Sequence, residues 1–345
     1  MQSTWFSYIL HGIYKIFTVR RSKRSHNSST EQAMERRSIR MKASEMPKRG
    51  VERRAVRKKQ HGSQVIWYLF LLPTVVGIAM FIAYPVFESF RLSFMKSNGT
   101  IESFNGLSNY LYIFKNEVFR KAIFNTFFIT FFQLLIAVPI GFVLSVVINN
   151  LFACKNALKS LFFIPYITPA VAAGTLFLFV LHPNGILNSL LGVFGVPAIS
   201  WLENGWSARW GAVLLGVWRT LGFNIIIFLA YLQAISPEYY EAAYVDGCTR
   251  LKAVRYITLP QMKGAFAFLI VMGWINGLQR FTDIYVLGNG PQGSPARALH
   301  TIVGFIYERG FGNYEFGVAS AAAYILFAII LVFTWLNMKL TKMDV

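Results

Sequence analysis

Residues 122–148 read AIFNTFFITFFQLLIAVPIGFVLSVVI, and this stretch of 27 residues without a charge decides the fold. A helix needs about 20 largely apolar residues, each adding about 1.5 Å, to cross about 30 Å of hydrocarbon. Five further stretches meet that length: 66–84, 160–181, 210–235 with Arg219, a run from about residue 264 that carries Arg280 and Asp283 toward its end, and 316–338. We therefore predict an all-α membrane protein with six transmembrane helices.

The composition of the whole chain agrees with this prediction. Of its 345 residues, 55% are hydrophobic and only 14% are charged, which is too much apolar surface for one soluble core. Pro73, Pro139, Pro165 and Pro169 lie inside the apolar stretches, where bundled membrane helices accept proline better than soluble helices do. We expect kinks at these four positions.

Small residues recur in two of the stretches. They occupy 169–174 and 319–323, and in a membrane such residues let helices approach each other closely. We expect these two faces to be buried in the bundle.

The first 62 residues differ in character from the rest, so we divide the chain into a basic, amphipathic extension, 1–62, and a transmembrane domain, 63–345. Residues 20–59 contain 15 basic and 4 acidic residues, and their net charge of +11 is more than half of the chain's +19. Such a composition predicts disorder in isolation and attraction to anionic lipids. Nucleic-acid binding is the weaker alternative, and we expect no nucleic-acid partner. Residues 4–19 are apolar but short, which predicts that they lie on the membrane surface.

Basic residues also predict the orientation. With a cytoplasmic N-terminus and six spans, 24 of the 34 Lys and Arg residues fall on the cytoplasmic side and 8 on the other. This bias predicts a multi-pass protein of the cell membrane with both termini in the cytoplasm. Sixteen of the 24 precede the first span, so the prediction depends mainly on the N-terminal extension.

No sequence motif for catalysis, nucleotide binding or metal binding is found. The chain has no GxxxxGK[ST] loop, no HExxH and no GxSxG, and its five histidines are scattered. Cys154 and Cys248 both fall on the predicted cytoplasmic side, where thiols stay reduced. We therefore predict neither an enzyme nor a metal or cofactor site.

A polar segment, 236–263, separates the fourth and fifth spans. Ser236 suits the N-cap of a short helix and Pro237 suits its first position. Asp246 and Gly247 are typical of a helix end, because glycine adopts the left-handed conformation without a steric cost. Thr249 can cap a second short helix, which should stop before the proline at 260. The segment is therefore predicted to be helix, turn, helix.

The sequence EAAYVDGCTRLKAVRYITLP, residues 241–260, resembles the EAA loop of binding-protein-dependent ABC importer permeases of the sugar type. The similarity extends from about residue 68 to 340 and includes LLP at 71–73, NGLSNY at 105–110 and DIYVL at 283–287. The chain departs from the family at Cys248, where alanine is usual, at Val254, where an aromatic residue is common, and at 288–291, which is one residue shorter.

The resemblance implies a type I importer permease with six transmembrane helices and a cytoplasmic EAA coupling loop. In that family the loop docks into a groove of a cytoplasmic ATPase. The residues carried over to this role are Glu241, Ala242, Ala243, Asp246, Gly247 and Pro260.

The implied assembly has two permease chains, two cytoplasmic ABC ATPase subunits and an extracytoplasmic sugar-binding protein, in contact with membrane lipids. This chain would be one permease, most simply paired with a different second permease, and it would form half of a sugar pathway while the partner subunit hydrolyses ATP. Two alternatives stay open from the residues alone: a secondary transporter or channel without an ATPase, and a membrane-embedded interaction protein that acts through its basic extension.

Polar side chains inside the spans are the candidates for the substrate pathway, since burying them against lipid costs several kcal/mol. The candidates are Arg219, Asn224, Asn276, Gln279, Arg280, Asp283 and Tyr324. Asn276, Gln279 and Arg280 fall on the part of the fifth span that resembles the family's sugar-contacting stretch. Arg280 and Asp283 can also form a structural ion pair, since they are three residues apart. Arg219 and Asn224 can brace the bundle instead, and Tyr324 can serve packing.

Overall fold

The computed structural model describes residues 68–151 and 154–341. The predictions for residues 1–62 lie outside this part of the chain. The chain divides into two units, Met1–Gly77 and Ile78–Val345, and the packing described below lies within the second unit.

The described residues form helices and one small hairpin. The helices are α1 (Tyr68–Ser93, with a π-helical turn at Ala79–Ala83), α2 (Ser108–Lys115), α3 (Glu117–Asn150), α4 (Lys155–Ile167), α5 (Ala170–Val180), α6 (Ile186–Val193), α7 (Gly205–Gln233), α8 (Pro237–Val245), α9 (Arg250–Gln261), α10 (Lys263–Leu278), α11 (Thr282–Leu287), α12 (Ile302–Tyr307, continued by a π-helical turn at Glu308–Gly312) and α13 (Phe316–Thr341). Strands β1 (Met95–Ser97) and β2 (Glu102–Phe104) pair antiparallel, with Met95 opposite Phe104.

In the part of the chain that the structure describes, four helices are long and apolar enough to cross a membrane: α1, α3, α7 and α13. Two bent pairs pass the same test when each pair is taken together. Helices α4 and α5 meet at 99°, and α9 and α10 meet at 62°, so up to six spans are present if each pair is one span. The first bend lies inside the stretch predicted as the third span, whereas the second, at Met262, lies just before the stretch predicted as the fifth.

The break in the third span is the one predicted at Pro169. Thr168, the residue before it, is extended with ψ 131°, as expected where the proline ring disfavours the helical conformation of its predecessor. Helices α3 and α4, in contrast, stay helical through Pro139 and Pro165.

Helix α7 lies at the centre of the second unit, where it packs against α3 and α4. One buried cluster joins α3, α5, α7 and α11, a second joins α3, α7 and α10, and a third joins α3, α12 and α13. The small-residue faces take part in this packing. Ala173 and Gly174 are buried, and so are Ala319, Ala321 and Ala322. A Cβ on Gly174 would lie 3.0 Å from a backbone oxygen of α11, so glycine is what lets α5 approach that helix.

The connection between α11 and α12 is tied to the first turns of α3. The side-chain nitrogen of Asn125 donates to the carbonyl oxygens of Arg297, at 2.8 Å, and His300, at 2.9 Å. The amide oxygen of Asn125 accepts from Nε of Arg209, at 2.8 Å. One buried amide therefore joins three segments at this end of the bundle.

Candidate functional site

Helix α8 begins as the sequence predicts, with Ser236 before it and Pro237 as its first residue, although the Ser236 hydroxyl makes no capping hydrogen bond. It also ends as predicted. Gly247 has φ +77°, and its N–H donates to the carbonyl of Tyr244 at 3.1 Å. The N–H of Cys248 donates to the carbonyl of Ala243 at 2.9 Å. Together these two bonds form a Schellman motif, which satisfies carbonyls that a helix end otherwise leaves unpaired.

The prediction that the second helix stops before Pro260 is wrong. Helix α9 begins after Thr249, passes through a π-helical turn at Val254–Thr258 and stays helical to Gln261. Pro260 is accommodated because it lies in the first turn of the helical piece that follows the π turn, where its missing N–H costs little. The chain bends only at Met262, between α9 and α10.

The inner side of α8 and α9 is anchored to the bundle, and the outer side is bare. Tyr240 of α8 packs against the second buried cluster, and its hydroxyl lies 2.9 Å from Oγ1 of Thr258, a buried residue of α9. On the outer side, Val245 is 88% exposed and Leu251 is 81% exposed. We call the exposed outer side of α8 and α9 the coupling surface.

The residues carried over from the EAA loop lie on this surface. Glu241, Ala242, Asp246, Gly247 and Pro260 are exposed, and Ala243 is half-buried. The Glu241 carboxylate makes no ion pair with another described residue, so it is available to a partner. An exposed apolar patch with a free carboxylate has the chemistry of a protein docking site.

The coupling surface lies at the C-terminal end of α3. Tyr240 and Tyr244 of α8, together with Asn149 and Asn150 of α3, line a cavity of about 270 Å³. This places the polar segment at one end of the bundle.

Inside the bundle, four polar side chains form what we call the arginine network: Gln133, Arg219, Arg280 and Asp283. Oδ2 of Asp283 accepts from Nε of Arg280 at 2.9 Å and from Nη1 of Arg219 at 3.0 Å. Nη1 of Arg280 donates at 3.0 Å to the side-chain oxygen of Gln133 and, at the same distance, to the carbonyl of Ala212. The network therefore connects α3, α7 and the start of α11.

The network is closely packed and carries excess positive charge. Asp283 is only 1% exposed, yet its single carboxylate faces two guanidinium groups. Two buried donors, Nε of Arg219 and Nη2 of Arg280, have no partner among the described residues. A Cβ on Gly216 would overlap Gln133 and Arg280, so glycine makes the space in which these two side chains meet.

The sequence predicted Arg219, Arg280 and Asp283 as candidates for the substrate pathway, but Gln133 was not among the candidates. Gln133 could have been predicted in the same way, because burying its amide in an otherwise apolar span is as unfavourable as burying the other polar candidates.

The other pathway candidates lie elsewhere. Asn276 and Gln279 are exposed at the C-terminal end of α10, next to the break that separates α10 from α11, and neither makes a side-chain hydrogen bond to another described residue. Asn224 is 5% exposed and packs against Gly141 of α3. The Tyr324 hydroxyl donates to the carbonyl of Val86 in α1 at 2.6 Å.

The described residues do not form a metal site. In residues 68–151 and 154–341, no three His, Cys, Asp or Glu side chains come close enough to hold a metal ion.

Comparison with known proteins gives the family. Residues 113–342 match the model of the binding-protein-dependent transport system inner membrane component. The arabinooligosaccharides transport system permease protein AraP of Bacillus subtilis (strain 168) is 34% identical over 277 residues, which is 79% of this chain and 88% of the relative. The trehalose/maltose transport system permease protein MalF of Thermococcus litoralis is 28% identical over 83% of this chain and 96% of its own length.

Solved structures give the same result. A crystal structure of a bacterial alginate ABC transporter, in complex with an alginate pentasaccharide-bound periplasmic protein, contains a chain that is 26% identical to this one. The match has a TM-score of 0.72 and covers 83% of this chain and 99% of the other. This chain belongs to the family of binding-protein-dependent transport system inner membrane components.

Proposed function

We propose that this chain is the permease subunit of an ATP-driven sugar importer and forms half of its translocation pathway. Its relatives are permeases whose names specify arabinooligosaccharides, trehalose/maltose and lactose. The chain itself is a pore-forming subunit and not an enzyme, and ATP is hydrolysed by a partner.

The observation that carries this proposal is the coupling surface. A secondary transporter or a channel has no need of an exposed helix-turn-helix with a free carboxylate between two spans. A cytoplasmic ATPase subunit, in contrast, needs such a surface to bind. Glu241 is positioned to pair with an arginine of the ATPase, and the small residues Ala242 and Ala243 let α8 enter a groove.

The proposed assembly contains a second permease subunit, most simply a different chain, two ABC ATPase subunits and an extracytoplasmic sugar-binding protein. The six proposed spans are α1, α3, α4–α5, α7, α10 and α13, and α9, which passes the length test only together with α10, lies outside the membrane as part of the coupling surface. With the coupling surface in the cytoplasm, both termini are cytoplasmic, in agreement with the positive charge of residues 20–59.

In this assembly the motion of the ATPase dimer reaches the pathway through rigid parts. Helices α8 and α9 receive the motion and pass it to α10, and the arginine network links the start of α11 to α3 and α7. A change between two packed arrangements of these helices would alternate access to the pathway.

We propose that Asn276 and Gln279 contact the sugar, because their free amides flank the break between α10 and α11. Broken helices are common at transporter substrate sites. The arginine network holds this break in position rather than binding the sugar directly, since its hydrogen bonds are internal. The contacts of Asn224 and Tyr324 favour a bracing role for both.

Co-purification tests the proposal. A tagged chain should bring down an ATPase subunit and a second permease, and Glu241→Ala should weaken the ATPase interaction. Glu238→Ala is the matched control, because Glu238 is an exposed glutamate of the same helix. Purification as a homo-oligomer whose sugar uptake follows an ion gradient would support a secondary transporter instead.

A further inference from the structure

Another polar site shares no residue with the coupling surface or with the arginine network. It is an open cleft of about 800 Å³ between the β1–β2 hairpin, α2 and the segment 313–318, which includes the first residues of α13. We call it the hairpin cleft. Its lining includes the polar residues Lys96, Ser103, Ser108, Asn313, Tyr314 and Glu315.

The hairpin cleft lies at the opposite end of the bundle from the coupling surface. Helix α2 is followed directly by the N-terminus of α3, whereas α8 contacts the C-terminus of α3. Since α3 has 34 residues, its ends are separated by about 51 Å. If the coupling surface is cytoplasmic, the hairpin cleft opens on the side from which the sugar arrives.

The walls of the cleft are held by hydrogen bonds within the chain. The side-chain nitrogen of Asn109 donates to the carbonyl oxygens of Ser93 and Met95, at 2.9 Å each. On the other wall, Nη1 of Arg309 donates to Oε2 of Glu315 at 2.9 Å. The cleft is therefore preformed, which lowers the entropic cost of binding.

Three of the polar side chains that line the cleft have no hydrogen-bond partner among the described residues. Among the described residues, the side chains of Ser103, Ser108 and Asn313 make no hydrogen bond, although all three line the cavity. Tyr314 stands at the edge, is 61% exposed and has φ +56°, which is an unusual conformation for an aromatic residue. Such an outlier is often retained where a side chain must be presented to a ligand.

We propose that the hairpin cleft binds a neutral oligosaccharide before it enters the translocation pathway. Hydroxyls and an amide can exchange hydrogen bonds with sugar hydroxyls, and the ring of Tyr314 can lie against an apolar sugar face. The volume is within the range of small-ligand sites, about 300–1,000 Å³. The charges of Lys96 and Glu315 are opposite, so the cleft does not select a charged ligand.

A segment of a partner protein is the competing occupant. Protein hot spots need apolar or aromatic anchors in buried pockets. The apolar and aromatic residues that line the cleft are Ile101, Tyr112, Tyr314 and Val318, and the first three are exposed by 70%, 44% and 61% rather than set in a buried pocket. The lining therefore favours a sugar. The choice of a sugar rather than another neutral polyol rests on the proposed function.

Calorimetric titration of the full chain in lipid nanodiscs with maltotriose, arabinotriose and lactose tests this proposal. We expect at least one of these saccharides to bind, and Ser108→Ala combined with Asn313→Ala to weaken that binding at least tenfold. Asn184→Ala is the control, because Asn184 is an exposed amide that does not line the cleft. Unchanged thermal unfolding midpoints verify that the variants are folded.

Two results would overturn the proposal. One is that none of the saccharides binds. The other is that the cleft variant leaves saccharide binding unchanged, whether it keeps stimulation by the binding protein or loses it. Unchanged saccharide binding with loss of that stimulation would assign the cleft to protein docking. Normal ATP-driven uptake without saccharide binding would be consistent with the proposed function and would contradict only the proposed role of the cleft. Saccharide binding that depends on the cleft, in a chain without ATP-driven uptake, would contradict the proposed function instead.

Discussion

Substitution of Gly247 separates the conformation of the coupling surface from its contacts. Gly247 has φ +77°, and a Cβ added there meets no atom of the described chain within 4 Å. The only free-energy cost of alanine here is that of adopting the left-handed conformation, which is about 1 kcal/mol. This cost lowers the population of the native turn about fivefold. Asparagine tolerates this conformation better and should be close to glycine.

Proline at the same position has a much larger effect. Its φ is fixed near about −65°, it cannot donate to the carbonyl of Tyr244, and it pushes Asp246 away from the observed φ of −75° and ψ of 7° toward an extended conformation. These effects exceed about 3 kcal/mol, so the native turn falls more than about a hundredfold in population.

The assay is uptake of radiolabelled sugar in cells, together with ATP hydrolysis in proteoliposomes. We expect normal membrane insertion in all variants and uptake in the order glycine, asparagine, alanine, proline, with none left in Gly247→Pro and hydrolysis no longer dependent on sugar. Normal uptake by Gly247→Pro would refute the coupling role. If alanine were as harmful as proline, the loss would come from a partner atom close to Gly247 and not from the backbone.

Three further predictions concern the rest of the bundle. Gly216→Ala should destabilise the detergent-solubilised protein by about 1–3 kcal/mol, because the new methyl group overlaps the arginine network, and this should appear as a lower thermal unfolding midpoint. Gly192→Ala is the control, because Gly192 has open space around it, and it should leave the midpoint unchanged. Gln279→Ala should raise the KM of uptake without changing stability, whereas Asn224→Ala should change stability more than KM; the reverse pattern would exchange their roles. Burial lowers the pKa of His300 to about 4. Because the unfolded chain then binds the proton more tightly, stability should be full above about pH 6.5 and fall as the pH decreases toward 4, and a denaturation series should lose this slope in His300→Gln.

The sequence by itself determined the membrane class, the number of apolar stretches and the coupling turn. Long uncharged runs have one stable solution in lipid, because every backbone polar group must be satisfied within a helix. The end of α8 at Gly247 was equally predictable, since glycine is the residue that enters the left-handed conformation without a steric cost. These properties are local, and a local pattern is enough to predict them.

Only the tertiary structure decided which polar residues meet. Gln133 and Arg280 are 147 positions apart, and they touch because Gly216 of a third segment leaves them room. The continuation of α9 through Pro260 depends on a π-helical turn that no proline rule predicts. The hairpin cleft likewise combines segments about 200 residues apart. Contacts of this kind follow from how the helices pack against each other, and that packing is not encoded in any one stretch of the chain.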